Sequence, residues 1–94
     1  MLDLSRTDGF EWDMANVQKV SRRVDLQIVE AAFNEQPLFL PDEKHSTEDE
    51  QRYQLVSINV PRPIFVIFTL RQSKIRVISA RYMHHQEVKK YEKK

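Results

Sequence analysis

The sequence contains no cysteine and a single glycine, and these two absences exclude several classes of function before any motif is read. Without thiols there is neither a disulfide framework nor a thiolate metal site, so nothing points to an oxidising compartment and the cytosol is the default expectation. One glycine cannot build the phosphate-cradling loops of P-loop or dinucleotide-binding proteins, which need several backbone positions free of a side chain. No nucleotide cofactor is expected. Long hydrophobic runs are missing as well. Nothing approaches the roughly 18 apolar residues of a membrane span, and the opening MLDLSRTDGFEWD lacks the basic-then-apolar order of a signal peptide.

What is present is a chain of 94 residues with 40% hydrophobic content, a size suited to one domain over residues 1–94 with one core. The net charge of +1 hides a segregation. Residues 1–70 hold seven Lys or Arg against twelve Asp or Glu, whereas residues 71–94 hold eight against two. A basic last quarter on an otherwise acidic chain suits a polyanionic partner, either nucleic acid or an acidic protein segment. Lys93 and Lys94 by themselves read as a solvated tail.

The coarse pattern is β-α-α-β-β-β-β-α, an α+β arrangement of helices on a small antiparallel meander. Residues Phe10 to Asp13 read as a brief edge strand or an extended lead into a helix, with Asp13 as N-cap. Val17, Val20 and Val24 then mark a helix over Met14 to Arg23. Asp25 caps a second helix, whose apolar stripe is Leu26, Ile28, Val29, Ala32 and Phe33 and which Pro37 stops. A short strand, Leu38 to Leu40, precedes a polar loop. Three runs rich in β-branched and aromatic residues follow, RYQLVSINV, IFVIFTL and KIRVISARY, joined by short connections at 61–63 and 71–73. The middle run is almost wholly apolar, which predicts a central strand covered on both faces. HHQEVKKYEKK closes the chain as a helix.

Strand alternation in KIRVISARY places Arg76 and Arg81 on opposite faces unless a bulge intervenes. Each arginine is a forked, always-charged match to a phosphate, and equally a match to a structural carboxylate. The loop DEKHS concentrates Lys44, His45 and Ser46, a phosphate-holding cation beside a proton carrier. It is not a serine-hydrolase elbow, because the flanking glycines are missing. No metal site is expected: His84 and His85 are adjacent, so on a helix they diverge by about 100°, and no H-E-x-x-H pattern is present. Phe10 and Trp12 offer surfaces that could stack on bases, although in a chain this small they read more readily as core.

FEWD with Asn16 and Lys19, AAF before a proline, LPDEKHS before an acidic turn and RY, and FVIFTLRQSKIRVISAR before a terminal YE together resemble the BrnT toxins of bacterial type II BrnT–BrnA toxin–antitoxin modules. The resemblance runs from Phe10 to Glu92. It implies a RelE-like fold and a ribonuclease that arrests growth by cutting RNA through 2′-hydroxyl attack, without metal or cofactor. It also implies a BrnA-like ribbon-helix-helix antitoxin as partner, through which alone DNA is contacted, and no membrane. Within this chain the resemblance points to His45 or Glu87 for proton transfer, with Arg52 and Arg81 as catalytic cations. Lys44, Arg22, Arg71, Arg76, Lys89 and Lys90 would bind phosphate. The chain departs from the family at one place. Where members carry a Lys-His-Gly motif between the first two helices, it reads VSRRVD, shorter by about two residues, so Ser21, Arg22 and Arg23 stand where that motif would be. An alternative follows from that departure: a toxin-fold interaction module that binds antitoxin with weakened or no catalysis.

Overall fold

Asp13 begins the first helix by the reciprocal exchange known as a capping box. Its side chain accepts from the Asn16 N–H at 3.2 Å while the Asn16 side-chain oxygen accepts from the Asp13 N–H at 2.7 Å. Helix α1 follows over Met14–Ser21, shorter at its end than the pattern predicts. Asn16 is itself buried and ties the helix down, because its Nδ2 donates to the Glu11 carbonyl and across to the Val77 carbonyl. Asp25 caps α2, Leu26–Ala32, by accepting from Gln27 N–H at 2.8 Å. Val29 and Ala32 are buried whereas Ile28 stays 40% exposed. Ile28 lies about 100° around the helix from Val29 and so leaves the core-facing stripe.

In this computed structural model, which describes residue 4 and residues 7–92, four strands form one antiparallel sheet in the order β1-β2-β3-β4. They are β1 Leu38–Pro41, β2 Arg52–Ser57, β3 Ile64–Arg71 and β4 Lys74–Tyr82, and helix α3, His85–Glu92, closes the described chain. Lys93 and Lys94, expected to extend that helix, lie outside the described residues. The fold is therefore the α+β meander expected, with two helices before the sheet and one after it. The first predicted strand is reduced to a single parallel bridge, Phe10 to Ile75. Around it the N-terminal segment runs along the edge of β4, with Glu11 N–H donating to the Ile75 carbonyl and Ile75 N–H to the Gly9 carbonyl. No helix among the described residues is long and apolar enough to cross a membrane.

One face of the sheet is packed by the helices. Val20, Val24, Val29 and Ala32 meet Leu55, Ile64, Val66, Phe68, Ile75, Val77 and Ala80 in a continuous buried cluster. Phe33 stands edge-on to Phe68, 5.0 Å between ring centroids, and to Phe10 at 5.2 Å. Phe10 and Trp12 both pack against this core, and the Trp12 Nε1–H donates to Glu30 at 2.7 Å. The other face is more open. Phe65 and Ile67 of β3 are only half-buried there, so the central strand is not covered on both sides as its composition predicts.

The register of β3 and β4 contains one irregularity with a large consequence. Ile67 pairs with Ser79 but Phe68 pairs with Val77, so Ile78 is skipped as a bulge. Strict alternation would separate Arg76 from Arg81. The extra residue resets the parity: Ile75, Val77 and Ala80 all face the helices, and Arg76 and Arg81 pair with Thr69 and Phe65 on the open face. The β3–β4 turn consists of Gln72 and Ser73, at φ 50° and 69°. Two successive left-handed residues are the signature of the hairpin turn that matches strand twist, here made without glycine.

Candidate functional site

At the end of the open face where β2 begins, Arg52, Thr69 and Arg76 align across three strands. Arg52 Nε donates to Glu50 at 2.8 Å, and Arg71 stands 3.7 Å from Glu50 and 3.4 Å from Glu11. Arg76 reaches Glu11 at 3.0 Å and Asp13 at 2.9 Å. The result is a chain of alternating charge from Arg52 through Glu50, Arg71, Glu11 and Arg76 to Asp13. The hydrogen bond from the Arg76 guanidinium holds the Asp13 carboxyl below its usual range, helped by the Asn16 N–H at the cap. Beside the chain lies a shallow cavity of about 200 Å³ lined by Asp49, Glu50, Gln51, Tyr53, Thr69, Leu70 and Arg71. Two of its lining residues are joined by a hydrogen bond, Thr69 Oγ1 donating to the Gln51 carbonyl at 2.7 Å.

His45 sits next to this end, on the short 3-10 turn Glu43–His45 that follows β1. Its Nδ1 lies 2.9 Å and 3.2 Å from the two carboxylate oxygens of Asp42. Asp42 is 2% exposed, and the His45 side chain is 55% exposed. Asp42 N–H donates to the Arg52 carbonyl at 2.9 Å, which fastens the turn to β2. Sequence reasoning missed Asp42. A signal was present in DEKHS, since side chains three apart stand over one another on a 3-10 turn. Lys44, between them in sequence, is exposed and forms no ion pair among the described residues.

Arg81 occupies the far end of the open face, roughly 15 Å from Arg76 at about 3.3 Å per strand residue. It grips Glu87 with two parallel bonds of 2.8 Å and 2.9 Å, and its guanidinium lies 5.0 Å from the Phe65 ring centre. Glu87 also accepts from the His84 N–H at 2.9 Å, capping the start of α3. Arg81 first, and the His84 N–H second, pull the Glu87 carboxyl down to about 2. It is therefore ionised and a weak base at neutral pH. Lys89 and Lys90 are exposed on α3, in its last turn, where cations also suit the helix dipole. Arg22 is exposed at the C-cap of α1, in the helical layer.

The structure thus brings Arg52, Arg71 and Arg76 together at one end of the open face, with the turn that carries Lys44 and His45 tied to the Arg52 backbone beside it, places Arg81 and Glu87 at the other end, and keeps Arg22 apart from both. Among the described residues no group of His, Asp and Glu is placed to hold a metal ion. A small α+β meander carrying four ion-paired arginines on its open face, with a histidine on an adjoining turn, defines the class: a compact charged scaffold. The family model for BrnT, the ribonuclease toxin of type II toxin–antitoxin systems, matches residues 12–87, and the chain belongs to that family. A toxin of this type has a cognate antitoxin as partner. Neither the search of curated proteins nor that of solved structures gave a match.

Proposed function

We propose that this chain cleaves RNA without a metal, by attack of a 2′-hydroxyl on the adjacent phosphate, and that a BrnA-like ribbon-helix-helix antitoxin restrains it. The reading rests on one placement above all: an exposed imidazole, His45, next in sequence to Lys44, which forms no ion pair among the described residues, and on a turn bonded to the backbone of Arg52. A neutral imidazole takes the proton from the 2′-hydroxyl near neutral pH. The 2′-oxygen then bonds to phosphorus, and the 5′-oxygen leaves and draws a proton from solvent. The products are a 2′,3′-cyclic phosphate and a 5′-hydroxyl. Lys44 and Arg52 offset the added negative charge of the transition state. Arg71, Arg76 and Arg81, with Lys89 and Lys90 beyond them, guide the RNA backbone over the open face, and Glu87 serves by holding Arg81 rather than by moving a proton.

Purified protein in the presence of EDTA should cut RNA, and His45→Ala should slow cleavage by about 10²-fold or more. Intact RNA with the wild type would refute the reading, and activity lost on chelation would refute its metal independence. The second reading, an antitoxin-binding module without catalysis, is favoured by the carboxylates that already occupy Arg71, Arg76 and Arg81. It predicts a stable complex with the antitoxin and no RNA cleavage.

A further inference from the structure

We infer that Asp42 is a positioning residue for His45, holding the ring so that Nδ1 carries the proton and Nε2 presents its lone pair to solvent. Its catalytic consequence rests on the ribonuclease reading above, while the ring geometry is measurable without it. A carboxylate that is 2% exposed needs compensating partners. Asp42 occupies the N-cap position of the Glu43–His45 turn, where an aspartate side chain usually accepts from a backbone N–H inside the turn. It makes no such bond. Both its oxygens instead address His45 Nδ1, at 2.9 Å and 3.2 Å.

A mere fastening of the loop does not account for this, because the backbone already does that work. Asp42 N–H donates to the Arg52 carbonyl, and the Asp42 carbonyl accepts from Ser46 Oγ at 2.7 Å and from the His45 N–H at 3.3 Å. Ser46 Oγ in turn accepts from the Arg52 N–H at 2.8 Å. With the turn held independently, the side-chain pair is left to orient an imidazole that is more than half exposed. An ionised carboxylate only accepts, so it selects the tautomer with hydrogen on Nδ1. The remaining nitrogen is then the acceptor, on the side of the ring away from the buried acid.

Two-bond 1H–15N correlation spectra of the full chain, recorded at alkaline pH where imidazole is neutral, should show wild-type His45 protonated on Nδ1. Asp42→Asn places an amide donor there and should transfer the proton to Nε2. In RNA cleavage by the same proteins, kcat for Asp42→Asn should fall by about 10²-fold or more with KM held within about two-fold. Asp42→Glu should recover part of the loss. Wild-type His45 protonated on Nε2 would overturn the inference, and that result needs no folded variant. An Asp42→Asn protein that keeps both tautomer and kcat would overturn it while leaving the ribonuclease reading intact. A wild type with the expected tautomer but no cleavage would sustain the positioning and refute the ribonuclease reading.

Discussion

Where β2 begins, Arg52, Arg71 and Arg76 share Glu50, Glu11 and Asp13 in a chain of alternating charge, whereas at the other end of the same face Arg81 has Glu87 to itself. The first arrangement is divisible. A phosphate entering it can take one guanidinium while the displaced carboxylate keeps another cation nearby. The second is a private two-bond clasp that also caps α3, so a ligand there must both break the fork and uncap a helix. The four arginines are therefore held in two ways, three in a shared network of carboxylates and one in a two-bond clasp.

Three substitutions probe that contrast. Arg76→Ala should have the largest effect on stability. Its side chain is only 12% exposed and joins the N-terminal segment to β4, so its removal costs packing as well as hydrogen bonds. A loss of about 1–2 kcal/mol in urea unfolding is expected, with faster hydrogen exchange at Glu11 and Ile75. Were Arg76→Ala no worse than Arg81→Ala, the ranking of the two ends would be reversed.

Arg81→Ala should cost at most about 1 kcal/mol at neutral pH, as befits a pair about one-third exposed. Its signature is the pH dependence. The Glu87 carboxyl lies at about 2 in the folded chain against an ordinary value of 4.5, so the unfolded state binds the proton first as pH falls. The stabilisation is complete above 4.5 and is lost as pH falls toward 2. The stability difference between wild type and Arg81→Ala should accordingly narrow between pH 5 and pH 2.5 in denaturant titrations at fixed salt. A difference that stays constant over that range would assign the pair no role.

Ser73→Gly should give the smallest change, a gain of about 0.5 kcal/mol, because glycine relieves a left-handed residue in the hairpin that joins β3 to β4. The turn residues carry none of the paired charges, so melting curves should shift upward in wild-type, Arg76→Ala and Arg81→Ala backgrounds alike. Unequal shifts would mean that the turn and one cluster are coupled.

Much of the fold was legible in local signals. Asp13 and Asp25 announced their helices because a capping aspartate acts within three residues of itself. The three long strands were legible from β-branched and aromatic composition. The site was legible only in part. Arg81 was singled out without its clasp to Glu87, and His45 without Asp42. A structural carboxylate was foreseen as one match for each arginine but without its identity, because Glu11, the acid that Arg71 and Arg76 share, lies 60 and 65 residues away from them in sequence.

The sequence by itself determined the helix caps, the strand runs, the segregation of charge and the family to which the chain belongs, since each depends on residue identity and short-range order. Only the tertiary structure decided which arginines share a face. A single bulge at Ile78 shifts the side-chain period of two by one step, and that parity is set by pairing with β3 rather than by anything within β4. It likewise decided that Glu11 and Asp13 pair with Arg71 and Arg76, because charge pairing follows distance in space, which the chain closes only when the segment from Gly9 to Asp13 lies along the edge of β4.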